Sequence, residues 1–454
     1  VIPVPLLLAL QQPTPAPDTG AGRPCVLEVD SIGHSGTQRD LGGGVQNIFA
    51  GGGVVAHCRG TTTTLYADST AWYGGENRLD LLGHVRIRDT SLSLDANLVN
   101  YYRLQERLDA HNNVVAVNKS NGSVLRGPNL TYWRAAAGIR DTVEMYATQR
   151  PTIEYRGAGV ADTVEPYIII ADRVRFKGND RMWAGGHSTI DRSDFAAQSD
   201  SMLLDQTTGV GVLIGKPRLE GKGPQGYVLT GTRVELGLTN REIHLVKALG
   251  DGKATSADWT LTADTIHLVV DHRKLQQALA WGTTIRPHAV SALQDIQADS
   301  LVLDVPDQVL TEGRGFGHAF SASRHDSTVT VSFGDCTTAK QDCMLACIGP
   351  DVNCIAGDSL TARWAQEPDS SGTPRNRIRR IIARGSARAV THMEGGADST
   401  ATGPAINYSR GQVIDITLQQ SRIDLVRVTG RADGVHLEPR PPAPPDTTAR
   451  KDST

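Results

Sequence analysis

The chain has 454 residues, 47 Gly, 22 Pro and a formal net charge of −3, and only 39% of its residues are hydrophobic. No Lys/Arg stripe dominates, so the electrostatic footprint of a nucleic-acid binder is absent, and a basic run such as Arg377–Arg380 reads as a solvated strand face. A compact enzyme of this length carries a richer core, whereas a thin body with much surface per residue does not.

The first ten residues, Val1–Leu10, are apolar and short, and Gln11–Gly22 are rich in Pro, Thr and Gly. Residues 1–24 therefore read as a worn or truncated secretory segment and a flexible leader, without a basic start. Cys25 sits in Gly-Arg-Pro-Cys, which is no lipoprotein box. No apolar run reaches the roughly 18 residues of a membrane helix, so no membrane span is expected. The Pro-rich tail 439–454 is expected to be disordered.

From residue 65 onward a six-residue core recurs: a small residue, Asp or a turn former, any residue, an apolar one, any residue, an apolar or aromatic one. Its copies begin at Ala67, Ala96, Gly127, Ala171, Ser199, Gly231, Ala263, Ala298, Gly357 and Gly403. An apolar residue stands two positions before every copy: Leu65, Leu94, Leu125, Ile169, Ala197, Leu229, Leu261, Ile296, Ile355 and Ala401. Aromatic residues close several copies, among them Trp72, Tyr101, Tyr132 and Phe176. In the copy at 263, apolar residues fall at 259, 261 and 263, then at 266 and 268. Alternation with period two marks a strand with one buried face. The step of three breaks the parity, and the same side stays inward only if the strand bulges or bends there. Each core thus predicts a strand that turns a corner at its small residue, with the Asp satisfying local backbone N–H groups.

After each core comes a polar turn, such as Gly74-Gly75 or Asp205–Gly209, and then a second alternating strand, as in Arg78–Val85, Arg107–Val114 and Arg422–Gly430. This is the grammar of hairpins. Helical periodicity is scarce; Lys274–Trp281 fits a helix or this second strand equally well. Together the elements predict an all-β, elongated, two-sheet slab of about ten bent hairpin repeats over residues 25–438, each repeat contacting mainly its neighbours.

Six cysteines are present. Cys25 and Cys58 stand near the start, and a bridge between them would stabilise by roughly 3–4 kcal/mol in the chain-entropy model. Cys336, Cys343, Cys347 and Cys354 cluster with palindromic spacing within an insertion at 335–355, which suits nested disulfides. No C-x2-C pair points to zinc, and disulfides imply an oxidising compartment.

No constellation for catalysis emerges. The core aspartates Asp68, Asp172, Asp200, Asp264, Asp299 and Asp358 occur once per repeat at a bend, so a turn role outweighs a glycosidase pair. The 13 histidines form no metal motif. Gly42–Gly53 lacks a following Lys-Ser/Thr, and Gly313–Gly317 does not match a phosphate loop. No cofactor and no metal are expected.

The run apolar-x-Ala-Asp-x-apolar-x-aromatic, a polar turn, then Arg-Leu-x-x-x-Gly-x-Val resembles the OstA/LptA-type family of periplasmic β-jellyroll proteins of lipopolysaccharide transport. Segments Leu65–Ile87, Ile168–Ile190 and Leu261–Trp281 carry the likeness, and Val426–Leu437 resembles the family's closing strand. The resemblance implies an exported, periplasmic, non-enzymatic slab whose apolar interior shelters acyl chains of lipopolysaccharide or a similar glycolipid. It also implies edge-strand pairing with other jellyroll proteins of a transport bridge. The chain departs from the family in its length and in the cysteine-rich insertion, and no outer-membrane barrel is evident. The lipid-groove candidates are Leu65, Leu94, Leu125, Ile169, Leu229, Leu261 and Ile296, with Trp72, Tyr101, Tyr132 and Phe176, though the aromatics fit better as plugs of the slab edge. Two other readings stay open: a structural envelope spacer with a closed core, and a β-helical carbohydrate-active enzyme.

Overall fold

A computed structural model of the chain describes residues 25–34, 36–156, 165–223, 226–239, 242–324, 344, 347–348, 352–368, 374–393, 404–420 and 422–438. The leader 1–24, the tail 439–454, and Cys336 and Cys343 lie outside the described residues. The described chain is all-β, with antiparallel strands and three short 3-10 turns. It divides into two compact units, residues 1–188 and 189–454.

Each unit is made of antiparallel strands joined by tight turns, and the segment that fits either helix or strand, Lys274–Trp281, is a strand. The inferred corner is present at the cores from Ala67 to Gly357, but the tenth is corrected. Ala401 and Gly403 lie outside the described residues, the strand Ala405–Gln419 bends at Gly411 and Gln412 instead, and Ile406 and Tyr408 lie on the outer face. Along Trp259–Asp271 the buried residues are Trp259, Leu261 and Ala263, then Ile266, Leu268 and Val270. The parity shifts at Asp264, so both halves of the strand turn their apolar side chains inward.

The neighbouring strand supplies the other half of the bend. Between the pairs Leu249↔Thr265 and Gly252↔Ala263, two residues oppose the single Asp264, which is a β-bulge. Those two, Gly250 and Asp251, both have positive φ (72° and 50°). The same left-handed pair recurs as Gly83-His84, Gly186-His187, Gly215-Lys216, Gly317-His318 and Gly385-Ser386. A Cβ on Gly83 would lie 2.3 Å from Asp68 Oδ2, so only glycine fits there. The Gly of the repeat and the Asp of the preceding core are therefore one device.

In unit 1 the corner separates two arms, each carrying an inward row of cross-strand partners. One row runs Ala56, Leu65, Ile87, Leu94, Ala116, Leu125, Ile153, Ile169. The other runs Ile48, Trp72, Leu79, Tyr101, Leu108, Tyr132, Met145, Phe176, Met182. Directly opposed side chains are the unit of sheet stabilisation, and the repeat places one apolar partner in each row per strand. In unit 2 the corresponding row runs Ala197, Leu219, Leu229, Ala254, Leu261, Ala289, Ile296, Ser321, Ile355, Ala389.

Cys25 and Cys58 are bridged, as their isolation near the start implies. The cysteine cluster corrects the nested expectation: Cys347 bridges to Cys354, a neighbour in the cluster, whereas nesting requires Cys336 with Cys354. The reason is where the chain resumes. The strand Val352–Pro368 already contains Cys354, so 352–355 of the expected insertion belong to the sheet. Cys347 then packs on the face opposite to the interior row, against Phe320, Ala322, Val352, Cys354 and Val390, with Ile406 and Tyr408 partly buried beside them. On this face apolar residues replace the polar ones that strands elsewhere turn to water, and a short link from Cys347 clamps the insertion onto it.

Candidate functional site

The apolar interior of unit 1 widens toward the N-terminal strands. The segment Leu27–Ile32 pairs with Gln46–Cys58, with a bulge between Val29 and Ser31. Together with Thr64–Tyr73, Arg78–Arg88 and Leu92–Tyr102 these strands surround a cavity of about 310 Å³. Ala56 and Leu65 line it from one arm, and Ile48, Trp72, Leu79 and Tyr101 from the other. Its rim is apolar and wet: Val29 is 56% exposed and Ile48 41%, and Trp72 is half-buried. The volume falls at the lower end of small-ligand pockets, about 300–1,000 Å³.

The beginning of this wall is fixed by three groups. The Cys25–Cys58 bridge ties the chain to Gln46–Cys58. The Cys25 N–H also donates to Glu106 Oε1 at 2.9 Å, and the Tyr101 hydroxyl donates to the same oxygen at 3.0 Å. Glu106 is fully buried and sits in the left-handed region (φ 45°) at the end of a 3-10 turn. Arg134 Nη1 lies 3.8 Å from its other oxygen. Burial and the Glu106 charge push the Tyr101 hydroxyl well above its ordinary range. Nothing in the repeat pattern marks Glu106. The only signal was a lone acidic residue between Gln105 and Arg107, before a strand.

A scan against protein-family models finds no match to this chain, and a search of curated proteins finds none either. Among solved structures, the chain is similar to LptH, the LptA-homologous periplasmic component of the conserved lipopolysaccharide transport device from Pseudomonas aeruginosa. The two are 18% identical over 31% of this chain and 94% of that one, with a TM-score of 0.23.

The structure brings Leu65, Trp72 and Tyr101 together on the cavity. Leu125 and Phe176 line a second void of unit 1, of about 30 Å³, with Ala116, Met145 and Ile153. That space holds about one water molecule and no alkyl chain. Leu94, Ile169 and Tyr132 are buried at 0%, 1% and 3% exposure. In unit 2, Leu229 and Leu261 are 0% exposed and Ile296 2%, so an open groove does not run beside them.

Unit 2 also carries polar groups within its inward row. Ser321 is the direct partner of Ile296 and of Ile355. The Gln294 amide donates to Ser321 Oγ, Ser323 Oγ donates to Gln294 Oε1 at 2.6 Å, and Ser321 Oγ also donates to the Asp295 carbonyl at 3.0 Å. All three side chains are buried. On the opposite face, Asp295 is ion-paired to Arg324, with side-chain exposures of 5% and 13%. Such groups stay buried only because they satisfy one another.

The corner aspartates do not gather into a cleft. Asp68, Asp172 and Asp299 each meet the Nδ1 of the histidine that follows the corner glycine, at 2.7, 3.1 and 2.8 Å. Asp264 instead accepts the backbone N–H groups of Thr283, Thr284 and Ile285 at 2.7–2.8 Å. Among the described residues no group of three or more His, Cys, Asp or Glu side chains is placed to hold a metal ion. Among the described residues no helix is long and apolar enough to cross a membrane.

Proposed function

We propose that this protein is a non-catalytic, periplasmic lipid-binding protein that shelters acyl chains of lipopolysaccharide or a similar glycolipid on the way to the outer membrane. The observation that carries the reading is the apolar cavity between the arms of unit 1, where Leu65, Trp72 and Tyr101 meet under an exposed apolar rim. Burying each CH₂ there contributes about 0.8 kcal/mol, enough for a chain to bind without chemistry on it. On this reading Leu94, Leu125, Ile169, Tyr132, Phe176, Leu229, Leu261 and Ile296 meet lipid only when the arms part.

Partners of the same build fit the sheet edges. Among the described residues Leu27–Ile32 and Thr37–Asp40 pair only with Gln46–Cys58. Likewise, Arg422–Thr429 and Asp433–Leu437 pair only with Ala405–Gln419. Unpaired edges are templates for strand addition.

The second reading, a structural spacer, is favoured by the filled interior row of unit 2. Photocrosslinking in a double-membraned bacterium separates the two. A crosslinker at Leu65 or Trp72 is expected to capture lipopolysaccharide, with a weaker product or none from Leu261. Absence of lipid adducts at every one of these positions, in a protein that is exported and folded, overturns the transport reading and leaves the spacer.

A further inference from the structure

Among the described residues the wall of the unit 1 cavity contains a single charged side chain, Arg103. It follows Tyr101 and Tyr102 at the end of the strand Leu92–Tyr102, where its backbone N–H donates to the Asn77 carbonyl at 3.0 Å. Its neighbours among the arginines are engaged. Arg78 is paired with Glu76 and with Asp80 at 3.0 Å. Arg107 reaches Asp109 at 3.1 Å and lies over the Tyr102 ring. Arg134 faces Asp89 and Glu106. Among the described residues the Arg103 guanidinium has no acceptor, and the side chain is exposed. The nearby hydroxyl of Tyr101 is taken by Glu106. The other lining residues are apolar apart from Thr70 and Tyr101.

An unpaired cation at the rim of a small apolar cavity is complementary to one kind of ligand: an alkyl chain that ends in an anion. We propose that this site binds single acyl chains carrying an anionic head, with the chain between Leu65 and Trp72 and a phosphate-like oxygen group on Arg103. The proposal rests on the reading of the cavity as an acyl site and adds what that reading lacks, a basis for choosing among lipids. A planar guanidinium grips two oxygens of a phosphate or carboxylate at once, and such charge-assisted bonds are the stronger class. A phosphate without a chain gains only the exposed ion pair, which contributes little in water.

The test uses the full chain and three probes below their aggregation limits: dodecyl phosphate, the uncharged dodecyldimethylphosphine oxide, and inorganic phosphate. Binding is read by calorimetry. The expected result is about threefold to fivefold tighter binding of dodecyl phosphate than of the uncharged amphiphile at low salt, narrowing as salt is raised. Arg103→Gln is expected to erase that preference by weakening dodecyl phosphate far more than the uncharged amphiphile, whose oxide oxygen loses only a neutral acceptor's bond, while Arg103→Lys restores part of it. Binding of neither amphiphile sinks the acyl reading of the cavity. Equal binding of both, or a preference that survives Arg103→Gln, sinks the head-group assignment alone. Inorganic phosphate binding as tightly as dodecyl phosphate also overturns it, because the chain would then add nothing.

Discussion

Leu65 in unit 1 and Leu261 in unit 2 occupy the same place in the repeat, two residues before the corner's small residue, yet their surroundings differ. Leu65 has Ala56 and Ile87 as cross-strand partners and borders a cavity of about 310 Å³. Leu261 has Ala254 and Ala289, is fully buried and shows no surface to solvent. The repeat thus decides which way a side chain points. Whether the space in front of it is filled depends on the opposite arm and on what closes the end of the row. In unit 1 the row of the other arm opens at Ile48 and Trp72; in unit 2 the row that holds Leu261 is interrupted by the satisfied polar cluster of Gln294, Ser321 and Ser323.

The largest effect comes from placing a charge in each row. Leu261→Asp buries a carboxylate with no partner and is expected to cost about 4–5 kcal/mol or more, enough to unfold unit 2. Leu65→Asp places the carboxylate beside a cavity that can take up water and is expected to cost about half as much. Urea unfolding followed by tryptophan fluorescence measures both. Full stability of the Leu261 variant would mean its inward placement is wrong, and equal losses would mean the cavity gives no relief.

What the chain announced and what it concealed divide along the same line. Period-two alternation and its break at Ala263–Ile266 are local, so strands, corners and inward residues were readable from Ala67 to Gly357; the last corner was misplaced, because Gly403–Tyr408 fits the pattern as well as Gly411–Ile416, where the strand bends. The bridge Cys25–Cys58 was readable because no other cysteine lies nearby. The bulge partner was half readable: the glycine of Arg-Leu-x-x-x-Gly is in the pattern, but its contact with the Asp of the previous core exists only after the strands pair. Openness was not readable at all, because Leu65 and Leu261 look alike in sequence. Glu106 was hidden for a related reason: its partner Cys25 is 81 residues away. The cysteine cluster misled because its symmetric spacing says nothing of where the strand Val352–Pro368 begins.

The two disulfides extend the comparison with smaller effects. The Cys25–Cys58 bridge spans a separation of 33 residues and anchors the wall of the cavity. The Cys347–Cys354 bridge spans 7 and clamps a segment onto an outer face. In the chain-entropy model the first contributes about 3–4 kcal/mol and the second about 2–2.5 kcal/mol. The double variant Cys25→Ala, Cys58→Ala is expected to lower stability by more than Cys347→Ala, Cys354→Ala, and it alone is expected to weaken amphiphile binding. Loss of binding in both variants would disconnect the cavity from the N-terminal tie.

The smallest effect concerns the corners. Asp264 accepts three backbone N–H groups, from residues that would otherwise leave donors unpaired at an irregular turn, whereas Asp68 meets the exposed His84 imidazole and accepts from the Tyr66 hydroxyl at 3.4 Å. A Cβ on Gly282 would come within 2.7 Å of Asp264, so the carboxylate and the turn are fitted to each other. Asp264→Ala is therefore expected to lower the melting temperature more than Asp68→Ala at neutral pH. The two residues stand at equivalent positions, so the difference weighs three backbone donors against an exposed imidazole and a tyrosine hydroxyl. The N–H groups of Thr284, Ile285 and Thr283 hold the Asp264 carboxyl below the ordinary carboxylate range. A group depressed in the folded state stabilises above its unfolded pKa, about 3.9 for Asp, and loses that contribution as pH falls through the folded value. The deficit of Asp264→Ala should thus be constant between pH 7 and about 5 and shrink below about pH 4, as thermal melts at stepped pH will show. A deficit that persists unchanged at the acid end would mean that the side chain acts by filling space at the corner, with its charge irrelevant.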